Sequence, residues 1–102
     1  MPASPEKIVQ LRIRGRVQGV GYRAWAQREA IGRGLSGWIR NCRNGDVEAV
    51  FAGPATAVSA IVDRCWRGPP LAEVEALDQR SLAPNDQGAG DGIGFTIRPP
   101  AE

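Results

Sequence analysis

The chain has 102 residues, 42% of them hydrophobic and 24% charged, which fits one domain and leaves little room for a second. Its net charge of +2 is too mild to argue for nucleic acid and suits a small anionic ligand equally well. There is no histidine, and Cys42 and Cys65 are the two cysteines, so a four-ligand zinc site, a disulfide framework and Ser-His-Asp or Cys-His catalysis are all excluded.

Met1-Pro2-Ala3-Ser4-Pro5-Glu6 lacks the basic region and apolar run of a signal peptide. No stretch approaches the ~20 apolar residues of a membrane span. These features predict a cytoplasmic chain without membrane contact, and residues 1–6 are expected to be flexible.

Residues 9–14 read Val-Gln-Leu-Arg-Ile-Arg, the strict alternation of a strand with one buried face. Residues 15–21 are glycine-rich and break that pattern. From Tyr22 to about Gly34 the spacing turns helical, with Tyr22, Trp25, Ala26 and Ala30 on one stripe and Gly34 as terminator. Residues 35–42 read as a second strand and 47–52 as a third. Arg43-Asn44-Gly45-Asp46 between them is a hairpin signal, because Asn and Gly both tolerate positive φ. Gly53-Pro54 sets up a second helix with the proline in its first turn. Ala57, Val58, Ile61, Val62 and Cys65 form its apolar stripe, and Gly68-Pro69-Pro70 ends it. A fourth strand is predicted over 72–78, a mobile Gly/Asp-rich loop within 83–93, and a short last strand over 94–98. The order β-α-β-β-α-β, with an extra C-terminal strand, is a split βαβ arrangement: an antiparallel α+β sheet with two helices on one face.

Gly15-Arg16-Val17-Gln18-Gly19-Val20-Gly21-Tyr22-Arg23 joins a strand to a helix N-terminus. Its glycines let successive N–H groups curl inward, a geometry that binds anions with help from the helix dipole. The guanidinium of Arg23 would present forked donors to two phosphate oxygens at the same place. Spacing alone allows the plainer alternative, glycines that serve only to turn the chain. Gly19-Val20-Gly21-Tyr22-Arg23-Ala24 also fits a dinucleotide fingerprint, but no acidic residue ends the second strand and the chain is too short for the parallel units such a fold requires.

Asn41 sits late in the second strand, where asparagine is a poor strand former. By parity it shares a face with Gly37 and Ile39, opposite Trp38, Arg40 and Cys42. Its amide could cap the hairpin or position a water, though it could not take a proton.

These segments together resemble the acylphosphatase family. Residues 15–23 are similar to that family's G-x-V-Q-G-V-x-[aromatic or Met]-R signature. Gly37-Trp38-Ile39-Arg40-Asn41-Cys42-Arg43-Asn44-Gly45-Asp46-Val47, followed by Gly53, resembles its second signature, and Gly68-Pro69-Pro70-Leu71-Ala72-Glu73-Val74 a third segment. Tyr22 stands where Phe or Met is commoner, and Ile39 where a smaller residue is usual. The resemblance implies a ferredoxin-like βαββαβ sandwich in a single acylphosphatase-like domain over 1–102. It also implies hydrolysis of acyl phosphates to a carboxylate and inorganic phosphate, without metal or other cofactor. Arg23 matches the phosphate-binding arginine and Asn41 the water-orienting asparagine. Gln18, Gly19, Val20, Gly21, Tyr22 and Arg23 match the phosphate cradle. A monomer is expected, with a small-molecule acyl phosphate as its partner.

Two other readings compete. The same cradle could bind phosphate or carbamoyl phosphate without turnover. An RNA-binding sheet has the same element order, but it needs aromatics on its two central strands, and the first strand carries none. Arg12, Arg14 and Arg16 then read as a solvated edge. Trp25 is expected in the core, while Trp38 or Trp66 could line a substrate entrance.

Overall fold

Alternation dictates the first element, and in the computed structural model, which describes residues 6–84 and 94–101, β1 (Glu6–Arg16) buries Val9, Leu11 and Ile13 completely. Full burial of such side chains contributes roughly 1.5–3 kcal/mol each. The strand starts three residues before the alternating stretch and runs two past it. Its register against β4 slips at Gly15, whose φ is 123°. A Cβ there would lie 2.2 Å from the Glu73 carbonyl oxygen, so this glycine serves a strand bulge rather than the loop beyond it.

The remaining elements are α1 (Tyr22–Gly32), β2 (Ser36–Asn41), β3 (Val47–Pro54), α2 (Ala55–Cys65), β4 (Glu73–Ser81) and β5 (Phe95–Ile97). The sheet order is β4-β1-β3-β2-β5. The first four strands pair antiparallel, as expected for the split βαβ arrangement. The short last strand lies parallel to β2, with Gly37 opposite Phe95 and Ile39 opposite Ile97. The ferredoxin-like α+β architecture therefore carries a mixed sheet. Expectations for residues 1–5 and 85–93 fall outside the described residues.

Helix α1 covers β2 and β5, and α2 covers β3 and β1. Tyr22, Ala26 and Ala30 face the sheet from α1; Val58, Ile61, Val62 and Cys65 do so from α2. They meet Val47, Ala49 and Phe51 of β3, and Phe51 stacks on Phe95 with ring centroids 5.2 Å apart. Trp25 is only partly buried and packs edge-on against Tyr22. Pro54 is the N-cap of α2 rather than a residue of its first turn. Gly34 terminates α1 as expected: its φ is 69° and the next N–H, from Leu35, reaches back to Ala30.

The hairpin between β2 and β3 forms, but its turn differs from the Asn-Gly prediction. Gly45 takes φ 97° while Asn44 does not have positive φ. The Cys42 N–H donates to the Asp46 carbonyl at 2.8 Å, and the Asp46 N–H to Asn44 Oδ1 at 3.1 Å. Asn44 thus works through its side chain, as a local acceptor that stabilises the turn.

Among the described residues no helix lies over the other sheet face, and long polar side chains cover it. Trp38 is buried there with the guanidinium carbons of Arg98 and Arg40 at 4.6 and 4.9 Å from its ring centre. Glu48 accepts hydrogen bonds from Gln10 at 2.7 Å and Arg40 at 2.9 Å. Arg12 and Arg14 approach Asp46 at 3.5 and 3.8 Å, so both have an acidic partner on this face.

Candidate active site

Residues 17–21 carry the chain from the end of β1 to the start of α1, over the edge where β2 ends. Gly19 and Gly21 have φ of 74° and 81°, left-handed values that strain any residue with a Cβ. A Cβ at either would meet nothing within 4 Å. Backbone angle, rather than crowding, makes glycine necessary at both. Gly21 caps α1 without a side-chain hydrogen bond, and the first turn holds no acidic residue. Among the described residues nothing compensates the first N–H groups of the helix or its partial positive charge.

Arg23 lies in that same turn, half-buried, and has neither a hydrogen bond nor an ion pair among the described residues. Arg12, Arg14, Arg33, Arg40 and Arg64 have carboxylate partners, whereas Arg16, Arg28, Arg43 and Arg67, like Arg23, have none among the described residues. A cation at a helix N-terminus is unfavourable by itself. An anion held between the guanidinium and the first turn removes the conflict.

Asn41 is the last residue of β2 and lies opposite Val47 of β3. Its backbone is fixed from the other side as well, because the Ala101 N–H donates to its carbonyl at 2.9 Å. The side chain points to the helix-covered face, in agreement with parity. Its Oδ1 is buried and accepts no hydrogen bond among the described residues. Leaving a buried acceptor unmet costs about 1–3 kcal/mol, a cost that a donor brought in with substrate would relieve.

Arg23 and Asn41 line one hollow of about 220 Å³, together with Gln18, Gly19, Gly21 and Ile97. Larger hollows lie over the open sheet face, about 530 Å³ beside Gln10 and Glu48, and beside Leu35 and Phe95, about 620 Å³. Among the described residues neither joins an unpaired cation to an unmet acceptor, so size is a poor guide to the chemistry here.

The residues expected in the cradle divide into two groups. Gly19, Gly21 and Arg23 border the hollow, and no side chain of theirs is engaged elsewhere among the described residues. Val20 does not line it and packs against the core. Tyr22 borders it too, but its ring is buried and its hydroxyl donates to the Cys65 carbonyl. Gln18 turns its amide toward the β2–β3 turn. These three side chains are engaged within the fold, so only the main-chain groups of Gln18, Val20 and Tyr22 could serve an anion. Reasoning from sequence missed Ile97, because nothing local to 95–97 reveals that this strand pairs beside β2.

Cys42 adjoins Asn41 in sequence but faces the opposite side of the sheet. Burial pushes its thiol above the ordinary value, partly offset by the nearby Arg12 guanidinium. Trp66 is half exposed, and neither it nor Trp38 lines the hollow. Among the described residues no group of three His, Cys, Asp or Glu side chains is placed to hold a metal ion, and no helix is long and apolar enough to cross a membrane.

A split βαβ sheet carries a glycine loop, an arginine at a helix N-terminus that is unpaired among the described residues, and a strand asparagine beside it, a set suited to a small anion. The acylphosphatase family model matches residues 9–96. An acylphosphatase of Nitrobacter hamburgensis is 57% identical over 78 residues, covering 76% of this chain and 79% of that one. One from an Azoarcus species is 56% identical over 89 residues, covering 87% and 86%. The crystal structure of acylphosphatase from Bacillus subtilis superposes with a TM-score of 0.81 at 32% identity, covering 90% and 98%. The chain belongs to the acylphosphatase family.

Proposed function

We propose that the chain performs its family's reaction, hydrolysis of an acyl phosphate to a carboxylate and inorganic phosphate, with Arg23 and the main-chain N–H groups of residues 18–23 holding the phosphoryl group and Asn41 placing the attacking water. One observation supports this above the others: the unpaired guanidinium of Arg23 and the unmet Oδ1 of Asn41 border the same small hollow. At about 220 Å³ it is smaller than the ~300–1,000 Å³ of a pocket that engulfs a whole ligand. It suits a phosphoryl group whose acyl portion extends outward.

The chemistry asks little of the protein. Water oxygen forms a bond to phosphorus while the bond from phosphorus to the acyl oxygen breaks. The carboxylate departs without a proton, and the proton lost by water passes to the phosphate product or to solvent. The transition state is loose, with charge on the equatorial oxygens. Arg23 and the loop N–H groups stabilise that charge. Asn41 Oδ1 accepts a hydrogen bond from the water and orients it in line. No general base is required, because the leaving carboxylate needs no proton and the loose transition state asks little deprotonation of the water.

The reading extends to the whole chain as one acylphosphatase-like domain acting as a cytoplasmic monomer, independent of metal, membrane and nucleic acid. Phe51, the aromatic of the central strands β1 and β3, faces the core rather than the open side of the sheet, which counts against base stacking. The test is a steady-state assay of the purified chain with benzoyl phosphate beside a phosphomonoester, with and without EDTA. Hydrolysis of the first substrate alone, unaffected by the chelator, is expected. Binding of phosphate without turnover would make the domain a binding module.

A further inference from the structure

Two halves of the site come from segments far apart in sequence, and one side chain spans them. The amide nitrogen of Gln18 donates to the Cys42 carbonyl and to the Asp46 carbonyl, both at 2.8 Å. Those carbonyls also close the β2–β3 turn on themselves. Asp46 O accepts from the Cys42 N–H at 2.8 Å, and Cys42 O from the Gly45 N–H at 3.2 Å. Gln18 directly precedes Gly19 of the cradle, and Cys42 directly follows Asn41. The bonds therefore tie the phosphate loop to the strand end that carries the water-orienting amide, across 24 and 28 residues of chain.

We infer that Gln18 is a positioning residue for hydrolysis, setting the separation between the phosphoryl cradle and Asn41 through its side-chain amide. This rests on the acylphosphatase reading and adds a role that direct phosphate contact would not give. The residue type follows from the geometry. Two carbonyl oxygens face the side chain, so it must offer two donors on one atom, as a primary amide does. A carboxylate of the same shape would present only acceptors to both carbonyls. Alanine would leave the loop and the turn to separate. The penalty falls on alignment of water with phosphorus, because a displacement of about 1 Å at a reacting centre can cost on the order of a hundredfold in rate. The cradle itself, built from Gly19, Gly21 and Arg23, retains its donors.

The experiment compares the intact chain with Gln18→Ala and Gln18→Glu, with folding checked by circular dichroism. For Gln18→Ala we expect kcat on benzoyl phosphate to fall roughly tenfold to a hundredfold. The inhibition constant for inorganic phosphate should stay within about threefold, since the cradle's hydrogen bonds remain. For Gln18→Glu, kcat should be low at pH 8 and rise at least about fivefold by pH 5, as protonation restores one donor. The unsubstituted chain should show no such rise. A folded Gln18→Ala with kcat within about twofold of the parent, or with rate and phosphate affinity falling by the same factor, overturns the inference. If Gln18→Ala does not fold, a flat kcat for Gln18→Glu between pH 8 and 5 overturns it alone. A parent chain that binds phosphate but turns over no benzoyl phosphate would fail at the earlier step and take the acylphosphatase reading down with it.

Discussion

The hydroxyl of Tyr22 donates to the Cys65 carbonyl and joins the first turn of α1 to the last turn of α2 beneath the cradle. The segment after α2 is shaped around this contact. A Cβ on Gly68 would lie 2.7 Å from the Tyr22 ring and 3.1 Å from the Ala72 side chain. The Gly-Pro-Pro-Leu-Ala sequence therefore closes over the residue that anchors Arg23 by its chain neighbour. Tyr22→Phe keeps the buried ring and leaves the Cys65 carbonyl without this donor. We expect a loss of about 1–3 kcal/mol in urea unfolding, with kcat changed by less than about twofold. A large loss of turnover in the folded variant would mean that the hydroxyl serves the reaction.

Arg23→Lys tests whether charge alone suffices. Lysine keeps the positive charge but offers a single nitrogen in place of the planar fork. Activity on benzoyl phosphate should fall by about a hundredfold to a thousandfold, the size seen when one transition-state donor is removed. Stability should hold or rise slightly, because Arg23 has no partner to lose among the described residues. Near-normal turnover would remove the bidentate role.

Both helices, the hairpin and the face of Asn41 were legible in the sequence because each depends on local periodicity. The stripe ending at Cys65 reappears as the buried side of α2, and parity alone put Asn41 with Ile39. What escaped was non-local. The parallel pairing of Phe95–Ile97 with β2 joins segments more than fifty residues apart, and no pattern within three residues can encode it. The direction of the Gln18 amide was hidden for the same reason, since its acceptors lie on another hairpin. Gly15 was misread as loop because a glycine that permits a bulge looks, in sequence, like one that ends a strand. Burial of Trp38 under two arginines depends on β5 bringing the chain alongside, so composition could not forecast it.

Asn41→Ala separates orientation of water from binding of phosphate. The variant should lose about a hundredfold or more in kcat. Phosphate inhibition should change by less than about threefold, because the cradle donors are untouched. Folding should not suffer, since the substitution deletes an acceptor that meets no donor among the described residues. Equal losses in turnover and phosphate affinity would assign the amide to binding.

The core carries a pH dependence of its own. Burial pushes the Cys65 thiol from its ordinary 9.0 up to about 12. The Tyr22 phenol rises above its ordinary 10.0, first through burial and then through its contact with Cys65. Between pH 9 and 12 the unfolded chain releases the thiol proton while the native chain keeps it. The native state then binds more protons, so stability is fully present below pH 9 and is lost as pH rises toward 12. Each such proton contributes a slope of about 1.4 kcal/mol per pH unit. Urea unfolding of the parent should therefore weaken steeply from pH 9 to 10. Cys65→Ala should shed about one proton's worth of that slope, whatever constant offset its smaller side chain adds. Parallel pH profiles for the two proteins would show that the thiol ionises as freely in the native chain as in the unfolded one.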